Sequence, residues 1–217
     1  MKSLVERLRT ELNSFWQWSG LTIEEYENNG EILHSDELDY PNWSLLQDLV
    51  FEAIIHLKNG QRSKELTALI LESIAIDNED EVTLDLCEAE LADTELQYLA
   101  ECSLHFPLFN ARWQIAELIG RRTNDSFIKY LLLFINDSNK YVQRRALLSL
   151  ARISPEKAEK VAISKLRDED DYLRMVAIKI LREVSSQYLR DAINILKDDK
   201  FKYIQLEIAE IKDEVDQ

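Results

Sequence analysis

The sequence predicts an all-α chain: a right-handed α-solenoid of stacked helix pairs, entered through an atypical N-terminal helical cap. Three observations predict it. One pattern recurs three times at a spacing of 31 residues, in Asp137, Asp168 and Asp199, in Tyr141, Tyr172 and Tyr203, and in Val142, Leu173 and Ile204. Self-similarity at a fixed period of this size is the mark of a stacked array. Apolar residues inside each unit recur at helical spacing: Val142, Ala146, Leu150 and Ile153 share one face, and Leu173, Ala177, Leu181 and Val184 repeat it. Finally, 217 residues contain only 4 glycines and 3 prolines while 46% are apolar, so the chain has few helix breaks and ample material for a core.

Each striped helix is preceded by another, predicted over 125–136, 155–167 and 186–197. Pro155 falls in the first turn, where its missing N–H costs nothing, with Ser154 placed to cap. A pair of this length cannot bury its apolar face alone and must lean on its neighbours. Ala146 and Ala177, small and central in their stripes, allow close helix approach. The units are expected at about 62–91, 94–122, 125–153, 155–184 and 186–215, as one continuous body with the cap at 1–61.

The Asp-x4-apolar-x3-Ala-x3-Leu spacing resembles HEAT repeats, as does the basic residue after the apolar one, Arg174, and Arg112 in NARWQIAELI. With its short period the array is similar to the compact HEAT-like repeats of phycobilisome lyase subunits. The resemblance is clear over 105–217 and weak over 62–104. It implies fold, and it implies that the second helix of each pair lines a concave, partner-facing side.

From the N-terminus, a first helix carries Leu4, Leu8, Leu12, Phe15 and Trp16 on one face, and the aromatic run Phe15 to Trp18 reads as a cap on the array. Residues 19–42 break the rhythm with Gly20, Gly30 and Pro41 and hold Glu24, Glu25, Glu27, Glu31, Asp36, Glu37 and Asp39. An irregular connection of this length is often functional, so these seven carboxylates form a candidate contact surface. Thr22 is placed to cap a short helix through Asn28. The segment 43–57 is apolar almost all round and is expected as a buried helix, closed by Asn59-Gly60. An eroded repeat begins at Asp77, with the offset to Val82 that Asp137 has to Val142.

Charge divides the chain. Residues 1–111 hold 6 Lys/Arg against 23 Asp/Glu, and residues 112–217 hold 20 against 18, within a net charge of −15. The imbalance points to a basic protein partner and against nucleic acid, whose phosphates an acidic half repels. Cys87 and Cys102 have no metal-like or redox spacing and point to a reducing, cytoplasmic setting. No apolar run is long enough to span a membrane. Neither His34 beside Asp36 and Asp39, nor the alternating Asp77, Glu79 and Glu81, completes a ligand set, so no metal and no other cofactor is expected.

With Ala146 marking the buried direction, 100° per residue turns Tyr141, Arg144, Leu148 and Arg152 outward. The register extends this to Tyr172, Met175, Lys179 and Glu183, to Tyr203, Leu206, Glu210 and Glu214, and back to Trp113 and Glu117. Such a ladder of aromatic and apolar residues among charges has the composition of a protein-binding ridge. The plainer role for each tyrosine is to fill the gap between successive helix pairs. No phosphate loop, GxSxG, HExxH or Cys–His pairing is present, so no catalytic residue is expected. The chain reads as a non-catalytic protein-interaction module, an acidic inhibitor or immunity-type protein for a basic partner such as a toxin. The alternatives are an assembly or maturation factor resembling the phycobilisome lyase subunits, and a resemblance to the HEAT-like alkylpurine DNA glycosylases that would rest on Trp113. A monomer and a homodimer joined by the C-terminal edge are both open.

Overall fold

The computed structural model describes residues 2–29 and 39–215. The described residues form thirteen α-helices and no strand. By contacts the chain divides into two compact units, Met1–Leu118 and Ile119–Gln217.

The first unit begins with α1 (Leu4–Ser19), which a capping box closes: Ser3 N–H donates to Glu6 Oε2 at 2.7 Å and Glu6 N–H to Ser3 Oγ at 3.3 Å. Gly20 ends it at φ +70°, a left-handed conformation glycine adopts without strain. The predicted stripe is inward: Leu8, Leu12, Phe15 and Trp16 are buried. Phe15 is the hub of an aromatic cluster, with ring centroids 5.2 Å from Trp16, 5.4 Å from Tyr40 and 6.2 Å from Trp43. Thr22 and Glu25 make a second capping box for α2 (Ile23–Asn29).

Helix α3 (Trp43–Lys58) packs on α1, on α4 (Lys64–Ile76) and on α5 (Val82–Glu90). The all-round burial expected of it is not found. Leu45 and Phe51 are exposed, because the packed elements cover only the face carrying Leu46, Leu49, Val50, Ala53, Ile54 and Leu57. Helix α6 (Asp93–Ser103) packs on α4, and α7 (Phe109–Arg121) runs across the division between the units.

The second unit holds a 3-10 turn (Asp125–Phe127) and α8 (Ile128–Phe134), then α9 (Lys140–Ile153), α10 (Pro155–Lys165), α11 (Asp171–Glu183), α12 (Leu189–Leu196) and α13 (Lys202–Val215). Helix α9 packs on α8, α10 and α11, and α11 in turn on α10, α12 and α13. Val142, Ala146, Leu150, Leu173, Ala177, Leu181 and Ile204 are all fully buried, as the stripe requires.

The period of 31 has a hydrogen-bond basis. The carboxylates of Asp137, Asp168 and Asp199 accept the N–H two residues on, at 2.8, 3.1 and 2.9 Å, which turns the chain into the next helix. Asn139 and Asp170 then cap α9 and α11 with their side chains. Gln143, Arg174 and Gln205 each donate back to the carbonyl of their own repeat's aspartate, at 2.7, 2.9 and 2.9 Å. Arg112 does the same one period earlier, to the carbonyls of Phe106 and Pro107. Between repeats, Lys140 Nζ bonds Asp168 at 2.7 Å, and Arg174 grips both oxygens of Asp199 at 2.8 and 3.1 Å.

Two departures have local causes. Ser154 precedes Pro155 but makes no side-chain cap, its backbone standing at φ −142° and ψ 82°. Ser185 follows α11 at φ +52°, with Ser186 N–H returning to Leu181 O at 2.9 Å, a helix ending that favours glycine. Ser185→Gly relieves this strain and is expected to raise unfolding free energy by about 0.5–1 kcal/mol, read as a higher urea midpoint at unchanged slope.

The repeat also changes character at α13. Leu147 and Ile178 are fully buried but the equivalent Ala209 is exposed; Leu150 and Leu181 are buried but Lys212 is exposed. On the preceding helices, buried Ile135 and Leu166 give way to exposed Lys197. The face of α12 and α13 equivalent to the one buried between repeats is therefore small and charged.

Candidate protein-binding surface

The outward face of α9, α11 and α13 is built by the same register that buries the stripe. Tyr141, Tyr172 and Tyr203 are 36%, 44% and 43% exposed, and Leu206 is 57% exposed. Lys179 is exposed, and Arg144, Leu148 and Met175 are half-buried. The tyrosines belong to a continuous stack. The Arg144 guanidinium carbon lies 5.0 Å from the Tyr141 ring centre and 4.8 Å from that of Tyr172. Phe201 meets Tyr172 edge-to-face at 4.8 Å and Tyr203 at 5.2 Å, and Lys202 Nζ lies 4.7 Å over the Tyr203 ring. Tyrosine thus fills the space between repeats and presents its rim to solvent, two roles the sequence left as alternatives. Phe201 was missed; the signal was an aromatic residue standing where Asn139 and Asp170 cap the earlier helices. At the other end of this face a groove of about 430 Å³ is lined by Leu148, Ala151, Arg152, Pro155, Glu183 and Val184.

Trp113 does not join this surface. It is 5% exposed, and its indole N–H donates to Asn110 Oδ1 at 3.0 Å. Asn110 in turn donates to Tyr26 Oη at 2.9 Å, and Tyr26 donates to the Ala75 carbonyl at 2.7 Å. An indole inside a satisfied polar network is a core element, and the outward placement read from the register fails for it. The glycosylase resemblance loses the residue on which it rested.

Of the seven carboxylates in the acidic segment, Glu31, Asp36 and Glu37 lie outside the described residues. Glu24 and Asp39 are exposed. Glu25 is exposed but serves Thr22 as a cap, whose backbone N–H bond holds its carboxyl below the usual range. Glu27 is half-buried and accepts the Phe109 N–H at 2.8 Å, with Arg112 at 3.9 Å. Glu25 and Glu27 therefore anchor α2, while Glu24 and Asp39 are exposed without serving as an anchor among the described residues.

Few cations offset this charge, and four of the six are engaged: Arg7 with Glu52 at 3.0 Å, Lys58 with Glu90 at 2.9 Å, Arg62 with Glu95 at 3.4 Å, and Arg9 with Glu65. Inside the unit, burial pushes the carboxyls of Glu72 and Asp77 upward, and the Tyr40 hydroxyl, buried and hydrogen-bonded to Glu11, to about 12. Asp77 accepts the Thr83 N–H at 2.7 Å and so joins α4 to α5. Full burial pushes the Cys87 thiol to about 12, leaving it unreactive. Among the described residues, no group of three or more His, Cys, Asp or Glu is placed to hold a metal, and no helix is long and apolar enough to cross a membrane.

Comparison with known proteins agrees with the geometry of the second unit. Residues 128–210, which span α8 to α13, match the family model of HEAT repeats. No curated protein and no solved structure matches the chain. HEAT repeats generally serve as scaffolds for protein interactions. The helix pairs and 31-residue register of residues 128–210, with this match, make that segment an array of HEAT-like repeats.

Proposed function

We propose that the protein is a non-catalytic interaction module whose acidic first half receives a basic protein partner, in the manner of an inhibitor or immunity-type protein covering a basic toxin. The observation carrying this reading is the charge of residues 1–111, 6 Lys/Arg against 23 Asp/Glu, with Arg7, Arg9, Lys58 and Arg62 already held by carboxylates of the same unit. A field of one sign over such an area accelerates capture of an oppositely charged protein by about tenfold or more and weakens with salt. Glu24→Lys with Asp39→Lys reverses charge without touching a cap or a core contact. That variant is expected to associate with the partner about tenfold more slowly at low salt, in stopped-flow or surface-binding kinetics, and to dissociate at the wild-type rate. Unchanged association, or association indifferent to salt, would sink the proposal.

A further inference from the structure

Two sets of cations line the repeats of the second unit, one between successive helix pairs and one on the aromatic stack. Those between repeats are matched: Lys140 by Asp168, Arg174 by Asp171 and Asp199, and Arg182 by Glu207 and Glu210 at 2.7 and 3.0 Å. Those on the aromatic stack are not. Among the described residues, neither Arg144 nor Lys202 has a carboxylate partner, and Arg144 Nε is buried without an acceptor. The Arg144 guanidinium carbon lies over both the Tyr141 and the Tyr172 ring, in contact with aromatic faces and not with a carboxylate. Two tyrosine faces attract a guanidinium but do not supply the planar, bidentate acceptor it is shaped for.

We infer that the Tyr141–Arg144–Tyr172–Phe201–Tyr203–Lys202 stack is a docking strip for an extended acidic segment of a partner protein, with Arg144 and Lys202 pairing its carboxylates and the exposed tyrosine rims and Leu206 covering its apolar side chains. Charge complementarity selects the occupant: Asp168, Asp171 and Asp199 at this edge are already committed, to Lys140 and to Arg174, whereas among the described residues Arg144 and Lys202 have no carboxylate of their own to pair with. Dimensions agree. The successive ring and cation separations of 4.8, 4.8, 5.2 and 4.7 Å place Lys202 within about 20 Å of Arg144, the reach of about six extended residues. Rings locked by their neighbours lose little freedom on binding, which favours a rigid strip as a contact surface. This site lies on the opposite unit from the acidic surface proposed above and prefers the opposite charge, so the two can fail separately.

The test uses the full chain and a fluorescein-labelled (Glu-Pro-Leu)4 peptide, whose prolines keep it extended. Wild-type protein is expected to raise its anisotropy in a salt-sensitive manner. Arg144→Gln and Lys202→Gln should each weaken binding about fivefold or more at unchanged melting temperature, and Glu24→Lys with Asp39→Lys should not weaken it. Lys202 is exposed, so its variant keeps the test meaningful if Arg144→Gln fails to fold. No binding up to millimolar protein, equal affinity for (Gln-Pro-Leu)4, or wild-type affinity in both strip variants would overturn the inference. Self-association in sedimentation velocity, abolished by the same two substitutions, would make a second copy the occupant and overturn the assignment to a partner protein.

Discussion

Replacing Gly120 with alanine destabilises the second unit by about 1 kcal/mol, although alanine is the better helix former. A Cβ at Gly120 would stand 2.4 Å from Ser149 Cβ and 2.9 Å from Ser149 Cα. The second of these is backbone, so no rotamer change relieves it; α7 and α9 must part. Overpacking of this kind costs about 1–3 kcal/mol, against about 1 kcal/mol returned by helix propensity. The pair is coupled, and Ser149→Gly in the Gly120→Ala background removes the nearer contact. Urea unfolding of the four members of this cycle should show the double variant more stable than additivity predicts. An additive result would mean that the helices part at no cost.

Arg174 carries the second large effect. One side chain, 15% exposed, holds both oxygens of Asp199, Asp171 at 2.7 Å, and the carbonyls of Asp168 and Glu169. Its removal strands a largely buried carboxylate, so Arg174→Leu is expected to cost about 3 kcal/mol. Arg174→Gln should cost less, because Gln143 and Gln205 show that glutamine at this register position keeps the carbonyl bond. The pH dependence separates ion pair from packing. Hydrogen bonding to Arg174 holds the Asp199 carboxyl below its ordinary range. A depressed acid stabilises the fold above its unfolded-state pKa and loses that contribution as pH falls through the folded value. Wild type should therefore lose stability below about pH 4 more steeply than either variant. Parallel acid limbs in all three would show that the pair contributes nothing.

The period of 31 made the second unit legible, because one spacing fixes the stripe, the turn aspartates, the caps and the outward tyrosines together. It failed where a repeat departs from its own rule. Ser149 replaces the isoleucine found at Ile180 and Ile211, and only the close approach of Gly120 explains the exchange. Trp113 obeys the outward register in sequence, but the chain before it supplies Asn110 and Tyr26, and a satisfied indole goes inward. Helix α3 reads as buried all round because periodicity counts apolar residues and not the neighbours available to cover them. Carboxylates in the acidic segment looked equivalent by composition; backbone N–H groups at Thr22 and Phe109 separate Glu25 and Glu27 from Glu24.

The most direct measurement is capture on immobilised protein from native lysate at low and high salt, run beside the Glu24→Lys, Asp39→Lys variant and identified by mass spectrometry. A basic protein held by wild type at low salt, released at high salt and lost by the variant is the predicted result. Capture that resists salt and charge reversal alike, or recovery of nucleic acid in place of protein, would contradict the assignment of the acidic half as the binding surface.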